Sequence, residues 1–453
     1  MLEQYLTSVA EVRSLLGDLP RTACVLTFGC QQNEADSEKL RGMAVDMGYT
    51  ITDDPTVADL VVFNTCAVRE HAEQKVLSYV GRLKARKQAN PDLLIGICGC
   101  MIAQPHRIDL IRGHYPYVSF TLDPASLEKF PEAVLSAAQH NRTFHRGEEK
   151  PAITEGMPTV RRERHRAWVS IMYGCNNFCS YCIVPYVRGR ERSREVSHIL
   201  EEVRGLVQDG CREITLLGQN VNSYKSDCDF ATLLSRIAEI EGDFLIRFMT
   251  SHPKDVSDAL IETMGRYPNK IAPHFHLPLQ SGSNRILEKM NRRYTREKYL
   301  ATVEKLRQAV PGIALTTDII VGFPGEREED FLDTLSIMEE VGFDMAYTFL
   351  YSKRRGTPAA EMPDQVDTAA RKSRMQRLLD AQDAICLACA TPYVGKTVRV
   401  LVDGVSKNGA LYSGRTPTNK LVHFEGAPHM IGTFIQVKID RAEAFALYGT
   451  VVD

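Results

Sequence analysis

The chain alternates short apolar runs with amphipathic stretches through most of its length. The short runs have the length of buried strands, and the stretches between them carry apolar residues at helical spacing. Repeated strand–helix units predict parallel sheets that are covered by helices. Residues 1–20 precede this alternation, and their apolar spacing predicts an amphipathic helix that ends at Pro20.

The first group of units predicts an α/β domain over residues 21–140. Strands are expected at 24–28, 60–64 and 93–97, with helices near 34–47, 69–88 and 105–113. Residues 141–160 lose this periodicity and contain Pro151, Gly156 and Pro158, which predicts a linker.

The second group predicts a barrel over residues 161–390. Strands are expected at 167–172, 213–217, 245–249, 274–278, 315–320 and 345–349, and helices near 195–209, 229–240, 255–266, 295–309 and 327–341. Successive βα units close into a barrel, and six of them instead of eight predict a partial TIM-like (β/α)6 barrel that is open on one side. Its active site is expected where the strands end, and polar residues follow those strands.

The last part of the chain has a third pattern. A predicted helix at 367–390 is followed by short apolar runs between Gly, Asn and Pro turns, at 397–402, 411–415, 420–424, 433–439 and 446–452. Five short strands predict a small β-barrel over residues 391–453, of the kind that binds oligonucleotides. A purely structural barrel is the alternative.

Composition and charge restrict the class of protein. The chain has 453 residues, of which 44% are hydrophobic and 25% charged, which is typical of a globular protein with several domains. The net charge of −2 means that a nucleic-acid surface must be a local patch. No apolar run approaches the roughly 20 residues that span a membrane, and the first residues lack the pattern of a signal peptide. We therefore expect a cytoplasmic protein without a membrane partner.

Three cysteines near the middle of the chain, Cys175, Cys179 and Cys182, stand at the spacing C-x3-C-x2-C. Thiolates this close in sequence can face one point, so a single loop can hold a metal or a cluster. A structural zinc site needs a fourth ligand, and no Cys or His follows at a useful spacing. Three thiolates instead favour a four-iron cluster with one iron open to a small molecule.

Three more cysteines, Cys30, Cys66 and Cys100, fall just after the predicted strands of the first domain. Ligands of open α/β sheets lie outside the carboxyl ends of the strands, so these thiols can converge into a second cluster site. Neighbouring Asn and Gly residues suit exposed turns better than a packed core. Cys24 and Cys98 lie within strands and are expected in the core. The C-x2-C pair at 386 and 389 lacks a partner pair, and we interpret it as structural.

Arginines flank the central triad on both sides. One group precedes it and the other follows it, at 161, 162, 164 and 166 and at 188, 190, 192 and 194. They form either a solvated charge run or a set of phosphate contacts near the cluster. Further along, His276 is expected to be a hydrogen-bonded residue of the barrel interior, and a role as a base or ligand is the alternative.

These motifs together resemble the radical S-adenosylmethionine methylthiotransferase family. The central triad is similar to the motif of radical S-adenosylmethionine enzymes, and the blocks around the three earlier cysteines resemble the N-terminal methylthiotransferase domain, most closely at 64–70. The tail resembles the TRAM domain, an RNA-binding module, at 414–420. The tRNA branch of the family, of MiaB type, is the most similar, at 170–172, 216–222, 250–253 and 419–426.

The resemblance implies a transferase with two [4Fe–4S] clusters. The cluster on the central triad would bind S-adenosylmethionine at its open iron and cleave it to a radical that abstracts hydrogen, and the auxiliary cluster on Cys30, Cys66 and Cys100 would carry sulfur. The implied contacts to S-adenosylmethionine are Tyr181, Gln219, Ser251, Gln280 and Arg293. The implied substrate is N6-isopentenyladenosine in the anticodon stem-loop of tRNA, which would gain a methylthio group at C2.

The implied partners are tRNA, an electron donor such as flavodoxin or ferredoxin, and a sulfur source, and the chain is expected to act as a monomer. Three alternatives remain open. Two are methylthiotransferases with other substrates, threonylcarbamoyl-adenosine in tRNA or an aspartate of a ribosomal protein. The third is an RNA-binding protein with purely structural zinc.

Overall fold

The computed structural model describes residues 2–17, 20–68, 70–147, 153–406 and 409–452. The chain divides into two compact units. The first comprises the chain up to Arg162 with Tyr173–Asn176 and Ile183–Arg192, and the second comprises Glu163–Met172, Asn177–Cys182 and the chain from Ser193. Arg69 of the methylthiotransferase-like block and Pro151 of the predicted linker lie outside the described residues.

The first unit contains a six-stranded parallel sheet. Its strands are β1 (Arg21–Phe28), β2 (Tyr49–Ile51), β3 (Leu60–Thr65), β4 (Leu94–Gly99), β5 (Phe120–Leu122) and β6 (Thr143–His145). They lie in the order β2-β1-β3-β4-β5-β6. The helices are α1 (Leu2–Leu16), α2 (Gln31–Asp46), α3 (Glu70–Ala89), α4 (Pro105–His114) and α5 (Phe130–Ala138). The predicted parallel α/β sheet is therefore confirmed.

Both faces of this sheet are covered by apolar packing. One face packs with α1, α2 and α5 and includes Val12 and Met43, and the other packs with α3 and α4 and includes Val76 and Ile108. β3 and β4 are buried along their whole length, as central strands of a covered parallel sheet must be. The carboxyl ends of β1, β3 and β4 consequently lie side by side.

Three short strands, β2, β5 and β6, were not expected. Each has three residues, which is too few for a hydrophobic period to be visible. β6 lies within residues 141–160, where the sequence predicts a linker. The backbone N–H of Thr143 donates to the carbonyl oxygen of Ser119 (3.2 Å), and the strand pairs in parallel with β5.

From Arg166 onward the strands are β7 (Arg166–Ser170), β8 (Met172–Tyr173), β9 (Arg192–Ser193), β10 (Glu213–Leu217), β11 (Leu245–Phe248), β12 (His274–His276), β13 (Ala314–Val321) and β14 (Met345–Leu350). The helices are α6 (Val184–Arg188), α7 (Val196–Gln208), α8 (Phe230–Ala238), α9 (Asp258–Arg266), α10 (Asn284–Lys289), α11 (Arg296–Ala309), α12 (Glu328–Val341), α13 (Pro358–Glu361) and α14 (Thr368–Ala390). The strand expected at 167–172 is interrupted at Ile171. The N–H of Ile171 donates to the carbonyl oxygen of Leu217 (2.8 Å), and its carbonyl oxygen accepts from the backbone N–H of Arg194 (2.9 Å).

The second unit contains the predicted partial barrel. Two parallel three-stranded sheets, β7-β10-β11 and β12-β13-β14, are linked by a parallel bridge between Ile246 and Ile271. Residues such as Ile214, Leu216 and Ile319 pack in one large apolar core with the helices. Alternate positions of the strands carry polar side chains, which face the barrel interior.

The tail of the second unit is a closed barrel. Its strands are β15 (Thr397–Val405), β16 (Tyr412–Arg415), β17 (Leu421–Phe424), β18 (Phe434–Ala442) and β19 (Leu447–Val452), in the closed order β15-β16-β17-β19-β18. Its core includes Val400, Val422 and Val437. The predicted five-stranded barrel is confirmed. Among the described residues, no helix has the length and apolar character needed to cross a lipid bilayer.

Candidate functional site

Cys30, Cys66 and Cys100 follow the carboxyl ends of three neighbouring strands, as the sequence predicts. The N–H of Cys66 donates to the carbonyl oxygen of Phe28 (3.0 Å), and the N–H of Cys100 donates to that of Thr65 (2.8 Å). These two bonds continue the ladder by one residue beyond β3 and β4. Cys30 is the N-cap residue of α2, two residues after β1, and its thiol interacts with that of Cys66, so the three cysteines form a row at one edge of the sheet.

The thiols of this row interact with one another. A hydrogen bond between Cys66 and Cys30 lowers the pKa of Cys30 to about 6 and raises the pKa of Cys66. Burial raises the pKa of the Cys100 thiol, while the Arg188 guanidinium acts in the opposite direction. A thiolate is the form that binds iron, so a cation beside the thiols favours a metal-binding state.

Arg188 supplies that cation from within the fold. It is buried, and it donates to Sγ of Cys100 (3.1 Å) and to Oδ2 of Asp36 (2.9 Å). The Asp36 carboxylate is buried as well. A buried arginine that is hydrogen-bonded to a carboxylate and to a thiol has a fixed position and little freedom to contact RNA.

We expect Arg188→Ala to lower the free energy of unfolding by about 3–5 kcal/mol, because it leaves the buried Asp36 carboxylate without its cation. Urea denaturation of the cluster-free protein measures this change. Arg190→Ala is the matched control, since Arg190 is exposed. An unfolding free energy for Arg188→Ala equal to that of wild type would show that the pair contributes nothing.

Two asparagines hold the backbone around the row. Asn33 donates to Oδ1 of Asn64 (3.0 Å), and Asn64 donates in return to the carbonyl oxygen of Asn33 (2.8 Å). Gly99 has a φ of +96°, and a Cβ there would lie 2.4 Å from Oδ1 of Asn64. The sequence suggests exposed turns here, but Asn33 and Asn64 are fully buried. Their amides satisfy each other, which is why polar residues occur in this packed position.

The central triad lies on one loop. Gly174, with a φ of +75°, precedes it, and a Cβ there would lie 2.1 Å from the carbonyl oxygen of Arg190. The N–H of Cys175 donates to the carbonyl oxygen of Gly189 (3.1 Å), and the N–H of Cys182 donates to that of Cys179 (2.9 Å). Cys175 and Cys179 are buried and Cys182 is half-buried.

Arg292 is the buried arginine beside this loop in the second unit. It donates to Sγ of Cys179 (3.4 Å) and to the carbonyl oxygen of Pro278 (2.8 Å), and it lies 3.5 Å from the hydroxyl of Tyr181. The resemblance implies Arg293 at this position, but Arg293 is exposed. A φ of +59° at Arg293 accompanies the difference in direction between the two side chains.

Ser251 and His252 present buried polar atoms at the end of β11. Within the described part of the chain, Oγ of Ser251 and Nε2 of His252 have no hydrogen-bond partner. Nδ1 of His252 accepts from the N–H of Lys254 (3.2 Å), so the neutral ring carries its proton on Nε2. Burial, with Arg292 and Lys254 nearby, holds the pKa of His252 far below its usual range. Both residues can therefore donate to a ligand.

Of the other implied contacts, Tyr181 is half-buried and packs against an apolar cluster around Phe323, and Gln219 is half-buried. Gln280 is buried with a φ of +71°, and its N–H donates to the carbonyl oxygen of Asp318 (2.7 Å). His276 is buried, and its Nδ1 lies 3.0 Å from Oγ1 of Thr316. The expectation of a hydrogen-bonded interior histidine is confirmed.

Several of the flanking arginines are structural, which corrects the phosphate-contact interpretation for them. Arg188 is described above. Arg166 pairs with Glu213 (3.1 Å) and Asp403 (2.6 Å), and Arg194 pairs with Glu202 (2.8 Å). Ion pairs within the fold occupy these guanidinium groups. Arg164 is among the exposed members of the run.

A buried ion-pair network joins the partial barrel to the small barrel. Arg247 donates to Oε2 of Glu213 (2.6 Å) and to the carbonyl oxygens of Thr416 (2.8 Å) and Pro417 (2.7 Å). Although burial opposes ionisation, Arg247 and Arg166 hold the pKa of Glu213 below its usual value. Arg247 of β11 thus holds the loop after β16 against the partial barrel.

We expect Arg247→Ala to lower the free energy of unfolding by about 1.5–3 kcal/mol, because the buried Glu213 loses one of its two cations and keeps Arg166, and the carbonyl oxygens of Thr416 and Pro417 lose their donor. Arg212→Ala, which removes a surface pair with Asp243, is the control and is expected to cost about 1 kcal/mol or less. Denaturant unfolding monitored by circular dichroism measures both. Equal losses for the two variants would contradict the role of the network.

The donor sets fit iron–sulfur clusters. In the described residues, no group of three or more His, Cys, Asp or Glu side chains surrounds a single point as the ligands of one metal ion do. The thiolates of a four-iron cluster bind separate iron atoms, so they need not surround a single point. Three interacting thiols beside Arg188, and a cysteine loop beside Arg292, are suited to such clusters.

Sequence models of three protein families match the chain. They are the Radical SAM superfamily over residues 169–338, the uncharacterized protein family UPF0004 over residues 22–120, and the TRAM domain over residues 392–452. The tRNA-2-methylthio-N(6)-dimethylallyladenosine synthase of Acetivibrio thermocellus is 52% identical to this chain over 435 residues, which cover 95% of the chain and 90% of the relative. The synthase of Thermoanaerobacter sp. (strain X514) is 50% identical over 433 residues, 94% and 92% of the two proteins.

The chain belongs to the tRNA-2-methylthio-N(6)-dimethylallyladenosine synthase family. The resemblance to tRNA-type methylthiotransferases is thereby confirmed, and membership of this synthase family implies a [4Fe–4S] cluster and S-adenosylmethionine. Among solved structures, the radical S-adenosylmethionine methyltransferase TsrM of Kitasatospora setae is similar with a TM-score of 0.55 and 14% identity, covering 76% of this chain and 77% of that one. At this identity the likeness shows a shared fold alone.

Proposed function

We propose that the chain is a tRNA methylthiotransferase that installs a methylthio group at C2 of N6-isopentenyladenosine beside the anticodon. The observation that carries the proposal is the presence of two cysteine triads and a TRAM barrel in a chain about half identical to synthases named for that product. A TRAM-type barrel fits an RNA substrate. The reaction requires both a means of activating an inert C–H bond and a source of sulfur, which two separate clusters can supply.

Cys175, Cys179 and Cys182 would hold one [4Fe–4S] cluster, and the row formed by Cys30, Cys66 and Cys100 would hold the second. When bound, the first supplies radical chemistry with S-adenosylmethionine and the second supplies sulfur. The chain's own residues set the surroundings. Arg188 places positive charge at Cys100, and Arg292 places it at Cys179.

The buried donors at the end of β11 support an S-adenosylmethionine site in the second unit. Ser251 and His252 offer polar hydrogens that have no hydrogen-bond partner among the described residues. Together with Tyr181, Gln219 and Gln280, they are our candidate contacts, and Arg292 replaces Arg293 as the candidate arginine because it is buried beside Cys179. The proposal also includes an external electron donor such as flavodoxin or ferredoxin, a sulfur source, a monomeric state and a cytoplasmic location.

Nucleoside analysis of tRNA from a strain that lacks this gene tests the substrate. We expect N6-isopentenyladenosine to accumulate without its 2-methylthio group, and a plasmid copy of the gene to restore that group. Unchanged 2-methylthio-N6-isopentenyladenosine would contradict the proposal. Loss of a methylthio group from threonylcarbamoyl-adenosine, or from a ribosomal-protein aspartate, would support one of the alternatives instead.

A further inference from the structure

The inner face of β14 exposes two aromatic side chains. Tyr347 and Phe349 are 43% and 38% exposed, although they lie within a strand of the partial barrel. β14 is the last strand of its sheet, so one of its edges lacks a neighbouring strand in the described residues. Large aromatic rings that remain exposed on a folded scaffold commonly mark a binding surface.

The strand register determines which face these rings occupy. Tyr347 pairs with Asp318 and Phe349 pairs with Ile320, and paired residues of parallel strands share a face. The ring of His276 meets that of Tyr347 at 5.8 Å and 73°. The intervening residue Ile319 points the other way and packs in the core with the helices. The two rings therefore line the barrel interior.

This face also borders the cysteine motif. Ile320, which pairs with Phe349, packs against the same apolar cluster as Tyr181, and this cluster contains Phe323 and Tyr351. Tyr181 stands between Cys179 and Cys182 in the chain. Adjacent strands are about 5 Å apart, so Phe349 lies beside Ile320. Ile320 contacts the same apolar cluster as Tyr181, which places Phe349 near the cysteine motif.

The small barrel borders the other end of the same face. Arg415, on β16, interacts electrostatically with Tyr347. The residues after it, Thr416 and Pro417, are held by Arg247 of the partial barrel. The loop after β16 and Tyr347 therefore lie close together within the second unit.

We propose that Tyr347 and Phe349 form a stacking platform for the target base, a purine with an apolar N6 substituent that is turned out of a single-stranded RNA loop. This inference rests on the proposed function. Protein sites for unpaired bases use aromatic rings for stacking. Asp318 pairs with Tyr347, and its Oδ2 lies 3.6 Å from Nε2 of His276, which makes this carboxylate the candidate acceptor for the exocyclic N6–H. The apolar substituent lies against Phe349 and Ile320.

Binding of anticodon stem-loop RNA to the reconstituted holoprotein without S-adenosylmethionine tests the platform. Two RNAs are compared by fluorescence anisotropy, one with N6-dimethylallyladenosine and one with adenosine at the target position. We expect wild type to bind the first more tightly, and Tyr347→Ala and Phe349→Ala to bind it about tenfold more weakly. Phe349→Trp, which retains a stacking surface, is expected to bind within a few-fold of wild type.

Leu332→Ala is the matched control, because Leu332 is 47% exposed on α12 and contributes to neither triad. It is expected to bind both RNAs as wild type does. Equal affinity of wild type for the two RNAs, or unchanged affinity in Phe349→Ala, would overturn the inference. If wild type forms no 2-methylthio product yet shows the Phe349-dependent preference, the platform is supported and the proposed function fails.

Discussion

Cys175→Ala is expected to abolish the cleavage of S-adenosylmethionine. The open iron that would bind S-adenosylmethionine requires the other three irons of its cluster to be held by cysteines, and the chain has three cysteines at this motif. After anaerobic reconstitution, we expect the variant to contain about half of the iron of wild type, because only the proposed second cluster would remain. Chromatographic measurement of 5′-deoxyadenosine under reducing conditions gives the activity.

The matched control is Cys228→Ala, which removes a half-buried cysteine outside both triads. It is expected to retain the iron content and the cleavage activity of wild type. Cleavage that persists in Cys175→Ala would contradict the assignment of the triad. Loss of cleavage activity in Cys175→Ala, with activity retained in Cys228→Ala, distinguishes a cluster ligand from a cysteine that only packs.

Cys66→Ala is expected to abolish methylthio transfer and to leave S-adenosylmethionine cleavage detectable. Cys66 is the central member of the row, hydrogen-bonded to Cys30 and electrostatically coupled to Cys100. Without it, the proposed sulfur-carrying cluster would have two protein ligands, while the cysteines of the central triad are unchanged. Nucleoside analysis for the product, and deoxyadenosine analysis for uncoupled cleavage, separate the two effects.

Cys98→Ala serves as the control for this variant, because Cys98 is fully buried in β4, two residues from Cys100. It is expected to form the methylthio product, with a loss of stability only. Product formation by Cys66→Ala would show that the row does not hold the sulfur-carrying cluster. Loss of cleavage together with transfer would show that the two triads do not act separately.

The placement of Cys30, Cys66 and Cys100 after neighbouring strand ends was predictable from the alternation of strands and helices. For Cys175, Cys179 and Cys182, convergence on one cluster stays a prediction from their spacing. The other three cysteines are far apart in sequence, but each follows a buried strand, and the ends of neighbouring parallel strands meet at one edge. The strand ends at Phe28, Thr65 and Gly99 were therefore sufficient to predict the row.

The charged partners of the cysteines were not predictable in the same way. Arg188 lies in an alternating run of arginines, and nothing local distinguishes it from its exposed neighbour Arg190. Its role depends on Asp36 and Cys100, which are distant in sequence. A bridge of this kind forms only in the folded chain, so periodicity and spacing contain no sign of it.

The arginine near Tyr181 illustrates a second limit. The resemblance implies Arg293, and the fold buries Arg292 beside Cys179 and exposes Arg293. Two adjacent arginines are equivalent by composition and by motif. The local backbone, with positive φ at Asn291 and Arg293, determines which side chain turns inward. The sequence does not show which of the two side chains is buried, and the contact of Arg293 with S-adenosylmethionine stays a prediction.

The most direct test of the central claim is nucleoside mass spectrometry of tRNA incubated anaerobically with the reconstituted wild-type protein. The reaction contains S-adenosylmethionine, a reductant, a sulfide source and tRNA that carries N6-isopentenyladenosine without the 2-methylthio group. We expect 2-methylthio-N6-isopentenyladenosine to appear with wild type and to be absent with Cys66→Ala. Cleavage of S-adenosylmethionine by wild type without any methylthio product on this tRNA would contradict the account.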